Sequence, residues 1–239
     1  MKHKNKKTSI LKIVKTGFFI MILSFTACNE SDCKYDTDDC EEFCEMFEDF
    51  EDDTIGTNGN NWLGIDDDGI SIVLRNGTNV LEAIDDSGAS FVYNVSNYIP
   101  ENFIDEGCEF RYDVEYDAIS NSNGATTDNS LFIFTGTNPL LYGSGAVFVL
   151  NSSSLIVSGA APTTIRVPLE LATGTTLPSN SMGNWVLSGS TGATTAADVA
   201  SFNTIIQNVN GMAFFLDEGS NPSEEWWYDN FCFWQCCPN

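Results

Sequence analysis

Short apolar runs broken by clusters of Gly, Asn, Ser and Asp fill the chain from Phe47 onward, the pattern of β-strands joined by turns. Glu109 to Tyr116 alternates cleanly. Phe110, Tyr112, Val114 and Tyr116 face one way, and Arg111, Asp113 and Glu115 face the other. Thr164 to Leu171 repeats the pattern, with Ile165, Val167, Leu169 and Leu171 inward and Arg166 and Glu170 outward. Strands over Asn79 to Asp85 and Ser90 to Val95 flank a turn at Asp86-Ser87-Gly88. Leu131 to Phe134 and Ala146 to Leu150 are continuous apolar runs, suited to strands covered on both faces. One stretch has a helical period instead: Thr195-Ala196-Ala197-Asp198 reads as a capping start, followed by Val199, Phe202, Ile206 and Val209. A strand at Met212 to Leu216, a polar loop at Asp217 to Glu225 and a last strand near Tyr228 to Trp234 complete the succession. With no internal repeat, this predicts one all-β domain of two antiparallel sheets with one short helix.

The first residues follow another rule. Lys2, Lys4, Lys6, Lys7, Lys12 and Lys15 precede an apolar run from Gly17 to Leu23, and Phe25-Thr26-Ala27-Cys28 closes the segment. This is the layout of a cleaved secretory signal, too short to span a bilayer. With Cys28 directly after Ala27 it resembles a bacterial lipoprotein signal, which implies lipidation of Cys28 and an outer-membrane address. The implied division is a signal peptide over 1–27, an acidic cysteine-containing tether over 28–46, the β domain over 47–235 and a cysteine tail over 236–239. Acids just after Cys28 (Glu30, Asp32, Asp36, Asp38, Asp39) resemble the surface-export signal of Bacteroidota lipoproteins, implying cell-surface display; a solvated tether is the plain alternative.

Charge narrows the function classes. Loss of the signal removes the only histidine, His3, and leaves Lys34, Arg75, Arg111 and Arg166 against 34 acids, a net charge of −30 where the whole chain carries −24. Such a surface repels nucleic-acid phosphates, and nucleic acid is excluded as a partner. Without histidine there is no Ser-His or Cys-His nucleophile and no histidine-ligated zinc. Two-carboxylate glycoside cleavage remains open, which keeps a polysaccharide-active enzyme as a third reading behind two non-catalytic ones.

Cysteines in an exported chain point to disulfides. With Cys28 lipidated, Cys33, Cys40 and Cys44 precede the domain, Cys232, Cys236 and Cys237 end it, and Cys108 stands between. Bridges from lead segment to tail are expected, with Cys108 the free thiol; a cysteine-only zinc site is the rival.

Leu81 to Tyr116 holds a strand ending in Asp, a Gly turn, a strand with Phe91 and Tyr93, then Ile99-Pro100-Glu101-Asn102-Phe103 and an acidic turn. Asp198 to Phe233 adds a helix, a Gly211-led strand, an acidic loop and Tyr228-Asp229-Asn230-Phe231. This succession resembles the laminin B (laminin domain IV) type of jelly-roll, in the broad galactose-binding-like group that includes many carbohydrate-binding modules. The turn Asp105-Glu106-Gly107 departs from that pattern, which has a double glycine. The resemblance implies a jelly-roll β-sandwich and a structural Ca²⁺ held by Glu51, Asp53 and Asp229, hard oxygen ligands of the kind Ca²⁺ takes. Asp66-Asp67-Asp68-Gly69 lacks EF-hand spacing and reads as an exposed turn.

Adjacent tryptophans in Glu224-Glu225-Trp226-Trp227 offer a recognition site. In an extended segment one ring faces the core and the other outward, where it can stack on a sugar while Glu224 and Glu225 accept hydroxyl hydrogens. The outward ring could equally anchor a protein partner, and core packing of both rings is the plain alternative. Trp62 and Trp185 read as structural, and Trp234 as covering the sandwich end near the cysteines. The leading expectation is a lipid-anchored, non-catalytic glycan binder. The alternative is an accessory lipoprotein subunit of an outer-membrane transport, secretion or assembly complex.

Overall fold

The computed structural model of the protein describes residues 43–64, 69–85, 90–96, 99–118, 125–126, 129–136, 145–190, 193–216 and 224–236. The expectations for Cys28, Cys33, Cys40, Cys237, Asp66 to Asp68 and the turn at Asp86-Ser87-Gly88 lie outside these residues. Sheet A runs in the order β11 (Thr163–Pro168), β6 (Glu109–Ala118), β14 (Glu224–Gln235), β4 (Thr78–Asp85), β3 (Gly69–Arg75). Its remaining strand, β1 (Phe43–Glu48), pairs with the C-terminal half of β14, beyond the stretch that pairs with β4. Sheet B runs β12 (Gly183–Leu187), β9 (Gly145–Leu150), β8 (Leu131–Phe134), β13 (Gly211–Phe215), β5 (Phe91–Asn94), β2 (Leu63–Gly64). A two-stranded ribbon joins β10 (Ile156–Val157) to β7 (Ala125–Thr126). Every pairing is antiparallel, and the whole is a jelly-roll β-sandwich.

Sequence periodicity explains most of this. On β6 the predicted inward set, Phe110, Tyr112, Val114 and Tyr116, is fully buried. On β8 all four residues are buried, as a strand covered on both faces requires. The β3–β4 hairpin turns on Asn76-Gly77, both at positive φ (54° and 99°), the two-residue loop whose twist matches the strands. Helix α2 (Ala196–Ile206) starts at the predicted cap: Thr195 Oγ1 accepts from Asp198 N at 3.2 Å, and the Asp198 carboxylate accepts from Thr195 N at 2.7 Å. A second short helix, α1 (Phe103–Glu106), joins the one expected, with the Asn102 side chain accepting from Ile104 N.

The longest strand contains the decisive irregularity. On β14, Trp226 and Tyr228 point into the sandwich, and strict alternation would send residues 230 and 232 after them. Asn230 instead takes φ 53° and forms a β-bulge. The extra residue reverses the parity, which turns Phe231 and Phe233 inward and Cys232 and Trp234 outward. Phe231 thereby meets six rings: Phe50, Trp62, Phe110, Tyr112, Phe214 and Tyr228. Beside this cluster Tyr112 Oη donates to Asn129 Oδ1 at 3.1 Å, and Asn129 Nδ2 donates to Tyr228 Oη. Burial pushes both phenols well above their ordinary range.

Among the described residues, two disulfides staple the ends. Cys44 joins Cys232, tying lead segment to last strand as expected. Cys108 is not free: it is bonded to Cys236. Gly107 makes this corner possible, because a Cβ there would lie 2.7 Å from the Trp234 carbonyl oxygen, which accepts from Cys108 N at 2.9 Å. Residues 43–46, expected to belong to the tether over 28–46, are instead part of β1.

Candidate functional site

The outer face of sheet A gathers every basic residue among the described residues: Arg75, Arg111 and Arg166. Two are used alike. The Arg75 guanidinium reaches from edge strand β3 across β4 and β14. Its Cζ lies 3.3 Å from the Trp227 ring centroid, and it donates to Glu115 from Nε at 2.9 Å and Nη2 at 2.5 Å. Arg111 likewise lies 3.5 Å over the Trp234 ring and donates to Glu109. Trp234 is therefore on this outer face, under a cation, rather than a lid on the sandwich end. Trp227 Nε1 donates to Glu82 Oε1 at 3.0 Å on the neighbouring strand. Over Trp227 opens a pocket of about 100 Å³ lined by Arg75, Asn76, Asp113, Glu115, Asp229 and Asn230 among others. Asp113 accepts from Thr164 Oγ1 at 2.5 Å and from Asn230 Nδ2 at 2.9 Å.

The tandem tryptophans thus alternate as an extended strand demands, but neither is an exposed platform. Glu224 and Glu225 open β14 rather than ending a loop. Trp226 is fully buried, its ring tilted against Tyr116, and donates to Leu216 O at 3.2 Å and Glu224 Oε2 at 3.3 Å. Glu224, 1% exposed, is a core acid and not a ligand acid. Trp227 faces outward yet is 4% exposed, because Arg75 occupies the slab above its ring. Glu225 shares the outer face; burial raises its carboxyl pKa, Glu82 and Asp117 add to that, and Arg75 opposes it. Trp62 and Trp185 are buried, as expected. The residues that surround the pocket were missed because they come from four strands. The legible signals were the outward set on β6 and the Asn76-Gly77 turn.

Glu51, Asp53 and Asp229 do not converge as a three-carboxylate metal set; among the described residues no group of three such ligands forms. Asp53 belongs to the tight loop between β1 and β2, where its Oδ2 is buried without a hydrogen-bond partner beside Gly59 and Ile72. Glu51 accepts from Asn79 N at 3.2 Å. Asp229, at the bulge, is half-buried, and its carboxyl is pushed up to about 6, first by desolvation and then by Asp113, Glu51 and Asp49. The folded protein therefore keeps this proton up to near pH 6, whereas the unfolded chain releases it near pH 4. Stability from this group is present at low pH and lost as pH rises through that window. Full linkage is about 3 kcal/mol, and screening at a half-exposed carboxyl reduces it to about 1–2 kcal/mol. Asp229→Asn, which keeps the acceptor for Asn230 N, is expected to stabilise the metal-free protein by that amount at pH 7.5 and not at pH 4. Equal chemical-denaturation midpoints at both pH values would contradict this.

The outer face of sheet B is apolar: Phe91, Phe132, Phe134 and Ala213 are buried there, packed with Tyr93, Val147 and Phe215.

These features define a jelly-roll β-sandwich whose polar sheet face carries a pocket lined by the Arg75–Trp227 stack and by acids and amides. No protein-family model matches the chain, and no curated protein matches it by sequence. The structure matches 17 solved chains. One is an exo-β-agarase (TM-score 0.51, 12% identity), matched over 82% of this chain and 25% of that one. Another is the family 11 carbohydrate-binding module of a cellulosomal cellulase of Clostridium thermocellum (0.46, 15%, covering 81% and 96%). A third is the L4b domain of human laminin α-2 (0.42, 11%, covering 65% and 79%). At these identities the likeness is one of fold.

Proposed function

We propose that this domain is a non-catalytic glycan-binding module, held at the outer membrane by lipid on Cys28 and displayed at the cell surface. The pocket over Trp227 carries the reading. It joins the Arg75–Trp227 stack, acceptor carboxylates (Asp113, Glu115, Asp229) and donor amides (Asn76, Asn230) on one open sheet face. Sugar hydroxyls donate to such carboxylates and accept from such amides, while the rigid strands keep these groups in place. Carbohydrate-binding modules among the structural neighbours share the scaffold. A structural Ca²⁺ enters this proposal as an ion bridging Glu51 and Asp229, completed by carbonyl oxygens and water; added Ca²⁺ would then raise the thermal midpoint of the wild type and not of Asp229→Asn.

The test is affinity electrophoresis of the purified protein through gels containing soluble glycans. Trp227→Ala and Asp113→Asn, checked for folding by their thermal midpoints, are expected to weaken retention at least tenfold, a change of about 1.4 kcal/mol or more. Retention by no glycan, or unchanged retention in both variants, would end the proposal. The second reading, an accessory subunit of an outer-membrane complex, draws on the acidic outer face of sheet A, suited to a basic patch on a partner. It requires stoichiometric co-purification with an integral membrane protein in mild detergent.

A further inference from the structure

We propose that the pocket over Trp227 takes uncharged glycans and rejects polyanionic ones, and that the Arg75–Glu115 pair sets this choice. The inference rests on the glycan-binding reading and names its ligand class.

A uronate- or sulfate-bearing chain needs a cation with donors to spare. Arg75 is the one basic residue lining the pocket. Two of its N–H groups already meet the Glu115 carboxylate, at 2.9 and 2.5 Å, and its plane lies on Trp227. The Glu115 side chain is 12% exposed. Drawing Arg75 away to an anionic ligand would strand that carboxylate in a largely dry setting, at a cost set by its desolvation. The other cations on this face give no relief. Arg111 is committed to Glu109 and Trp234, and Arg166 lies beyond it on β11.

What remains around the pocket is negative. Asp113 and Asp229 line it, and Glu82, Asp117 and Glu225 extend the same face. At Glu225, burial raises the carboxyl pKa, and Glu82 and Asp117 add to it. An incoming polyanion meets this potential before it meets any donor. A neutral sugar meets acceptors for its hydroxyl hydrogens and the amides of Asn76 and Asn230 for its oxygens. Glu115 therefore acts as a specificity residue by neutralising the one cation that lines the pocket.

The experiment sets wild-type protein, Glu115→Gln and Arg75→Gln/Glu115→Gln against gels containing a neutral panel (mixed-linkage β-glucan, xyloglucan, galactomannan) or polygalacturonate. Thermal midpoints verify folding of each. Wild type is expected to be retarded by at least one neutral glycan and at least tenfold less by polygalacturonate. Glu115→Gln, leaving Arg75 unmatched, is expected to gain polygalacturonate retention that fades with added salt, and the double variant to lose that gain. Wild-type retention by polygalacturonate equal to the best neutral glycan would overturn the ligand class while leaving glycan binding intact. A folded Glu115→Gln that gains nothing would overturn the role of the pair. Retention by no polymer at all would remove the glycan reading and this inference with it.

Discussion

Reducing both disulfides is expected to lower the thermal midpoint by about 10–20 °C, the shift that about 5 kcal/mol produces in a domain of this size. Cys44–Cys232 closes a loop of 188 residues, and Cys108–Cys236 closes one of 128. In the chain-entropy account each restricts the unfolded chain by about 5 kcal/mol, and because the loops overlap their contributions do not simply add. One bridge ends on the C-terminal part of β14, at Cys232, and the other on Cys236 just past its end. There β1 is an edge strand with Phe43 and Met46 largely exposed, and it contributes little apolar burial of its own. Without Cys44–Cys232, β1 and the end of β14 should fray first. Calorimetry of Cys44→Ser/Cys232→Ser and Cys108→Ser/Cys236→Ser, beside the reduced wild type, checks this. Midpoints within about 2 °C of the oxidised protein would contradict it.

Phe231→Ala is expected to cost about 3–5 kcal/mol, the range for removing a fully buried phenylalanine. Its ring lies 5.4 Å from Phe50, 5.5 Å from Trp62 and 5.4 Å from Phe214, measured between centroids, so truncation opens a cavity bounded by both sheets. Phe43→Ala, at a ring 54% exposed, serves as the near-neutral comparison. The bulge gives the same experiment a second arm. Asn230 holds φ 53°, which glycine adopts freely and a β-branched residue resists. Asn230→Gly should unfold near wild type, whereas Asn230→Val should lose stability because Phe231 cannot stay inward without the bulge. Urea midpoints settle both arms, and an Asn230→Val as stable as Asn230→Gly would show that the parity switch does not depend on that backbone state.

Much of the fold was legible in the chain. The alternation on β6, the doubly covered run on β8 and the Thr195 cap each reflect a local rule, in which side-chain period or a single hydrogen-bond pair decides the element. The tandem tryptophans show where local rules stop. Alternation predicts that one ring faces out; it carries no information about Arg75, some 150 residues away in the chain, reaching across β4 to cover it. The buried Glu224 and the Cys108–Cys236 bridge are of the same kind, since each depends on which strand end comes to lie alongside which.

The sequence by itself determined the all-β character, the inward faces, the acidic charge and the poverty of cations, because each is a property of local pattern or of composition. Only the tertiary structure decided that the bulge at Asn230 reverses the facing of β14, that the Asp53 carboxylate is buried beside Gly59 and Ile72, and that the three arginines collect on one sheet face. Those outcomes follow from strand order and register, and antiparallel pairing joins segments far apart in the chain by contacts that no short window of residues contains.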